Sequence, residues 1–138
     1  MAENITLEIV TPEKYVVSEA VKIVMAPGTL GEFGVLAGHT PFMTSLKTGA
    51  LRYEDAGGKE RFVFLSGGFA EALPDKVTVL ADSAERRQDI DVQRAQAAQE
   101  RAEKRLGGEP DDDVDFTRAQ AALMRAITRL RLAETRRI

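Results

Sequence analysis

The 138 residues carry 19 basic and 22 acidic side chains, 43% apolar residues, one histidine and neither cysteine nor tryptophan. That length suits one domain of ordinary size or a small sheet domain with a helical appendage, with a core built mainly from aliphatic side chains. The missing cysteines exclude disulfides, thiolate metal sites and a cysteine nucleophile; one histidine argues against a histidine-based zinc site, and no apolar run approaches the roughly 18 residues of a membrane span.

No early stretch has the charged start and apolar middle of a signal peptide, so the expectation is a soluble chain that meets a membrane only through partners. The net charge of −3 is unevenly placed: residues 1–85 hold 7 Lys+Arg against 12 Asp+Glu, and residues 86–138 hold 12 against 10. Eleven of the twelve cations in the second part are arginines. The planar guanidinium fork matches carboxylates and phosphates, which favours a nucleotide or an acidic protein surface as partner over nucleic acid; the acids between the arginines argue against a duplex.

In chain order, Ile5-Thr6-Leu7-Glu8-Ile9 alternates apolar and polar residues, the mark of a strand with one buried face. Tyr15-Val16-Val17, Val21-Lys22-Ile23-Val24-Met25, Leu51-Arg52-Tyr53, Phe62-Val63-Phe64-Leu65 and Val77-Thr78-Val79-Leu80 continue the series, and many short strands predict a β-sandwich or flattened barrel. Pro12, Gly57-Gly58, Gly67-Gly68 and Pro74-Asp75 punctuate them at turns, with Gly57-Gly58 the clearest hairpin signal. Residues 27–41, P-G-T-L-G-E-F-G-V-L-A-G-H-T-P, break the pattern with four glycines and two prolines in fifteen residues. Such a loop uses backbone angles that other residues avoid and offers Glu32 and Phe33 as contact residues; a plain surface turn explains the same composition. It is not a phosphate loop, because the lysine and hydroxyl that belong after the second glycine are missing. His39, with no second metal-ligating neighbour, reads as a hydrogen-bonded structural histidine.

Beyond residue 85 the pattern turns helical. Residues 90–102 read I-D-V-Q-R-A-Q-A-A-Q-E-R-A and residues 114–126 read V-D-F-T-R-A-Q-A-A-L-M-R-A. Each opens with an aspartate able to cap free N–H groups and carries an arginine three residues later. The expected fold class is therefore α+β: an N-terminal β-sandwich over residues 1–85, then an antiparallel two-helix hairpin over 86–138, with helices near residues 90–106 and 114–136. On the first helix Val92, Ala95, Ala98, Gln99, Ala102 and Leu106 form a face of small residues, and on the second Phe116, Ala119, Leu123, Ile127 and Leu130 form a larger one. Alanines bury little area, so at roughly 25 cal/mol per Å² the pair is held weakly. Gly107-Gly108-Glu109-Pro110 stops the first helix, and Asp111, Asp112, Asp113 and Asp115 place negative charge where the second helix dipole favours it.

An antiparallel return brings Arg94 and Arg101 toward Arg125 and Arg129. Four guanidiniums in one neighbourhood repel each other unless anions intervene. Two arrangements supply them: a solvated network with Glu85, Asp89 and Asp91, or a bound anion. No nucleophile–base pair, metal cluster or phosphate loop accompanies these residues, so an independent enzyme is not expected.

The run at residues 27–41, followed by Ser66-Gly67-Gly68-Phe69-Ala70-Glu71 and Val77-Thr78-Val79-Leu80-Ala81-Asp82, resembles the ε subunits of F-type ATP synthases, and the match continues through the helical pair to Arg129. The resemblance implies a flattened sandwich that binds the γ shaft and the polar loops of the c-ring, with Glu32, Phe33 and His39 at the c-ring contact. Ala37 stands where the family usually has proline before Gly-His. Ile90-Asp91-Val92-Gln93-Arg94-Ala95 matches the I/L-D-x-x-R-A motif of ATP-binding bacterial members. By that similarity Arg94, Arg101, Arg125 and Arg129 contact phosphates, and Glu85, Ile90 and Asp91, with Ala95 in the motif, hold the base and ribose side. Arg86-Arg87, where other members often carry an acid or alanine, adds charge beside that motif.

The implied role is a non-catalytic rotor subunit that requires no cofactor and takes ATP as a regulatory ligand. Its hairpin would alternate between a compact form and one extended toward the α/β catalytic subunits, with Arg118, Arg125 and Arg129 meeting acidic residues of β and braking ATP hydrolysis. The expected place is the cytoplasmic face of a bacterial inner membrane, held there through the complex. The alternative is a purely structural coupler whose nucleotide motif is vestigial.

Overall fold

The computed structural model describes residues 3–108 and 115–135 and divides the chain into two compact units, Met1–Arg86 and Arg87–Ile138. The expected helix stop at Glu109-Pro110 and the acids Asp111, Asp112 and Asp113 lie outside the described residues.

The first unit contains β1 (Ile5–Val10), β2 (Tyr15–Gly28), β3 (Gly31–Leu36), β4 (Phe42–Asp55), β5 (Glu60–Ala72), β6 (Lys76–Ala81) and β7 (Ala84–Arg86). The pairing order is β1-β6-β5-β4-β2, and β1 also pairs with β2, so the path closes on itself as a flattened barrel. β1 runs parallel to β6 while the other pairs are antiparallel. β3 rides on the outer edge of β2, and β7 adds to β5. Alternation selects the core, as expected: Ile5, Leu7 and Ile9 of β1 and Val77, Val79 and Ala81 of β6 are buried. They pack with Val17, Val21, Val24, Leu51, Tyr53, Val63 and Leu65 of the longer strands.

Three features depart from the sequence expectation. The runs at 15–17 and 21–25 belong to one 14-residue strand, β2, and β4 is equally long. Their exposed polar positions interrupt the apolar pattern without interrupting the ladder, so one strand looks like two. Second, the glycine-rich stretch 27–41 is not all loop, because residues 31–36 form β3 against β2. Third, Gly67-Gly68 is not a turn. It lies inside β5, with φ of 105° and 130°, where the strand bends between the part that pairs with β7 and the part that pairs with β6. The Gly57-Gly58 hairpin is as expected: Asp55 accepts hydrogen bonds through Oδ1 from the Gly57 and Lys59 amides (3.0 and 2.9 Å) and through Oδ2 from Arg61 Nε (3.1 Å), and these donors hold its carboxyl below the usual carboxylate range.

The second unit begins with a 3-10 turn, Arg87–Asp89, and continues with α1 (Val92–Gly107) and α2 (Phe116–Thr135), packed as a hairpin. The repeated words fold identically. Asp91 Oδ1 accepts the Arg94 amide at 3.0 Å and Asp115 Oδ1 accepts the Arg118 amide at 3.0 Å, each satisfying an N–H of the first turn. In each helix the next residue, Ala95 or Ala119, is buried, and so is the alanine seven further on, Ala102 or Ala126. Four alanines thus make the seam, with Leu132 buried near the end of α2. Val92 and Phe116, expected on the packed faces, are partly exposed, and the seam of the second helix runs instead through Ala119 and Ala126. Gly108 caps α1 in an extended conformation (φ −84°), so this stop does not use the left-handed geometry that favours glycine.

Candidate functional site

One row of side chains crosses the outer face of the barrel. Phe69 of β5 is the cross-strand partner of Leu80 on β6, Leu80 is the partner of Val10 on β1, and Val10 of Tyr15 on β2. Met43 lies diagonally beside Phe69, two residues before its partner Ser45 on β4. Partners across a ladder point to the same side, so these residues form one continuous apolar stripe. Met43 and Tyr15 are each 66% exposed, Phe69 58% and Leu80 57%. A contiguous exposed apolar row of this kind is a candidate contact with another molecule. Sequence periodicity did not reveal it, although Val79-Leu80 and Phe69-Ala70 break strict alternation by placing apolar residues on both faces.

At the β2–β3 turn, Gly28 pairs with Gly31 and leaves Thr29 and Leu30 at the tip. Thr29 is tied down by its amide to the Ser45 carbonyl (3.0 Å) and by a hydroxyl pair with Ser45 (2.7 Å), while Leu30 is 99% exposed. Glu32 is exposed on β3. Phe33 and His39 are half-buried, because both lean on Phe42: the Phe33 ring meets it edge-on at 5.2 Å and the His39 ring at 5.0 Å. His39 Nδ1 lies 2.7 Å from the Thr40 carbonyl oxygen, which fixes the hydrogen on that nitrogen. The three candidate contact residues therefore divide into one free carboxylate and two members of an aromatic cluster that shapes the loop.

In the hairpin, Arg94, Arg101 and Arg118 are exposed and Arg125 and Arg129 half-buried. Arg94, Arg101, Arg118 and Arg125 each immediately precede a seam alanine, a turn of about 100° away from the seam. In an antiparallel pair related by a two-fold axis normal to its plane, that offset falls on the same side of both helices. Arg105 and Arg129 follow Arg101 and Arg125 by four residues and extend the same rows. Six arginines thus share one face of the hairpin. Arg105 was absent from the sequence-derived set, and the repeat at an offset of 24 residues, R-A-E-K-R-L at 101–106 against R-A-I-T-R-L at 125–130, was the signal for it. Ile90 is buried and Asp91 occupied as a cap.

Glu85 sits in the middle of β7, paired with Phe64. Its neighbour Arg86 turns the other way and is committed to the sandwich: Nε donates to the Val16 carbonyl (3.1 Å) and Nη1 to the Tyr53 hydroxyl (3.2 Å). Tyr53 is 1% exposed, and burial, with the Glu19 carboxylate as a second cause, pushes its pKa up to about 12. Arg86 is thereby removed from the charge that the sequence placed beside the nucleotide motif.

No group of histidine, cysteine or acidic residues among the described residues could hold a metal, and no described helix is long and apolar enough to cross a membrane. Two family descriptions match nearly the whole chain: "ATP synthase, Delta/Epsilon chain, beta-sandwich domain" over residues 4–87 and "ATP synthase, Delta/Epsilon chain, long alpha-helix domain" over residues 88–134. An ATP synthase epsilon chain of Syntrophobacter fumaroxidans is 60% identical over 134 residues, covering 97% of this chain and 98% of the relative. One from Desulfosudis oleivorans is 69% identical over 106 residues, 77% of this chain and 80% of the relative. Among solved structures, a chain in the Euglena gracilis mitochondrial ATP synthase OSCP/F1/c-ring assembly aligns with a TM-score of 0.76 at 28% identity, over 90% of this chain and 78% of that one. A chain of the Tetrahymena thermophila central stalk and c-ring shares the fold alone, with a TM-score of 0.56 at 13% identity over 99% of this chain and 98% of that one.

Proposed function

The chain belongs to the ATP synthase delta/epsilon family, as a non-catalytic stalk subunit of the epsilon type, and we propose that its sandwich couples the γ shaft to the c-ring while its hairpin is an ATP-responsive brake on hydrolysis. The single observation that carries the regulatory half is the arginine face. Six guanidiniums on one side of a weakly packed helix pair create a field that an anion relieves, and their planar forks suit a polyphosphate. In this reading Arg94, Arg101, Arg125 and Arg129 hold the phosphates, while Glu85, Ile90 and Asp91 bound the base and ribose beside the small Ala95. In the extended hairpin Arg118, Arg125 and Arg129 meet acids of the β subunit. The same arginines cannot serve both anions at once, so ATP opposes the brake by as much as it favours the compact form. The alanine seam supports the mobility this needs, because it buries little area.

The sandwich supports the coupling half by its two free surfaces. The apolar stripe through Phe69 and Leu80 faces γ, and Glu32 with the Leu30 tip faces the polar loops of the c-ring, on the cytoplasmic side of a bacterial membrane.

Titration calorimetry of the isolated chain with ATP tests the site. The expected result is one saturable binding event, weakened roughly 10- to 100-fold by Arg125→Ala, since a charge-assisted phosphate contact is worth about 1.5–3 kcal/mol. Binding that is the same in the variant removes Arg125 from the site, and no binding at all leaves the structural coupler. The brake has a separate measurement: in the assembled complex, deleting residues 87–138 is expected to raise ATP hydrolysis, and an unchanged rate sinks that part.

A further inference from the structure

The strand that ends the sandwich is too short to hold itself. β7 has three residues, Ala84–Arg86, and pairs only with Val63, Phe64 and Leu65 of β5. A ladder of that length is marginal in water. Yet every movement of the hairpin proposed above pulls on this strand, because the chain passes from Arg86 directly into the 3-10 turn at Arg87. Something besides the ladder must decide where such a movement stops.

β7 is fastened at both ends. Before it, the Ser66 and Ser83 hydroxyls pair at 2.6 Å and the Ser66 amide donates to the Ser83 carbonyl at 3.1 Å. After it, Arg86 reaches two strands with which β7 does not pair: Nε donates to the Val16 carbonyl on β2, and Nη1 to the Tyr53 hydroxyl on β4. Tyr53 is almost wholly buried, and the Arg86 guanidinium supplies a hydrogen bond to its hydroxyl. Freeing the strand therefore breaks two hydrogen bonds from a charged donor in addition to the short ladder.

We infer that the Arg86–Tyr53–Val16 clasp is a hinge stop, which holds β7 on the sandwich through every hairpin movement and confines the pivot to residues 87–91. The inference rests on the mobile hairpin of the preceding section for its role, but not for its geometry. Arg86 acts by positioning: β-alternation turns Glu85 to the opposite side, so the clasp also fixes which way that carboxylate points. It binds no ligand itself.

Hydrogen–deuterium exchange of the full chain, with and without saturating ATP, tests this. In the wild type the amides of 63–65 and 84–86 are expected to exchange slowly whether or not ATP is present, while ATP changes exchange within 87–91. Arg86→Ala is expected to speed exchange of 84–86 by roughly tenfold or more while residues 5–10 and 76–81 keep their protection, the pattern of a local rather than a global opening. Tyr53→Phe keeps the ring and the Val16 bond and should give a smaller rise at the same amides; it carries the test if Arg86→Ala does not fold. Unchanged protection of 84–86 in both variants overturns the clasp, as does an ATP-induced change within 84–86 of the wild type, which puts the pivot inside β7. ATP that alters exchange nowhere in 87–135 defeats the mobile hairpin instead, and the variants still decide the clasp.

Discussion

Replacing Phe69 by aspartate is expected to abolish tight binding to the γ subunit while leaving the isolated chain folded. Phe69 is more than half exposed within the apolar stripe, flanked by Leu80 and Met43, so its replacement removes no core contact and surface changes of this kind stay within about 0.5 kcal/mol of stability. If the stripe is the γ face, as proposed, the same position is desolvated in the complex. A desolvated aromatic anchor in an interface is worth about 2–4 kcal/mol, and a buried, unpaired carboxylate adds to the loss, which together weaken binding by roughly 30- to 1,000-fold. Calorimetric titration of purified γ into wild type and variant measures it. Leu30→Asp is the control: it puts the same charge on a still more exposed apolar residue outside the stripe, and γ affinity should not change. If Phe69→Asp binds like the wild type, the stripe is not the γ face.

Gly68→Ala is expected to cost about 3–5 kcal/mol of sandwich stability, from two sources. The φ of 130° lies in a region that residues with a side chain rarely enter, worth about 1–3 kcal/mol. A Cβ there would also overlap the Leu80 carbonyl oxygen and sit 2.8 Å from the Ala81 Cα, so β6 must move outward, and such overpacking adds about 1–3 kcal/mol. That is a large share of the roughly 5–15 kcal/mol that holds a domain together. Urea unfolding followed by circular dichroism reads the change. Gly57→Ala is the comparison, since its added methyl meets only the Asp55 carboxylate at 3.4 Å and its φ is not positive, and it should be close to neutral. A Gly68→Ala midpoint near the wild type would falsify the claim that β6 passes too close for a side chain.

Gly68 also shows where reading the chain residue by residue fails. Gly-Gly between apolar runs is a fair sign of a turn, as at Gly57-Gly58. At 67–68 the same dipeptide serves the interior of a strand, because β6 crosses there. Nothing local distinguishes the two, since the difference lies in a strand some twelve residues further on. β3 was hidden for a related reason: Gly31 and Gly34 weaken its intrinsic preference, and only the ladder with residues 23–28 of β2 makes it a strand. Arg86 looked like part of a surface charge cluster until the fold brought Val16 and Tyr53, 70 and 33 residues away, within its reach.

By itself the sequence determined what short-range physics controls: the alternation that buries Ile5, Leu7 and Ile9, the aspartates that cap both helices, the buried Ala95, Ala102 and Ala119, and the arginines Arg94, Arg101, Arg125 and Arg129. Each depends on residues within one or two turns or strand repeats, where period and capping chemistry act. The tertiary structure alone decided what pairing at a distance controls. It gathered Met43, Phe69, Leu80, Val10 and Tyr15 from five strands into one apolar stripe, because ladder partners share a face whatever their separation in the chain. It also fastened Arg86 to the sandwich, because a buried phenol must keep its hydrogen bonds and the fold leaves that guanidinium to supply one.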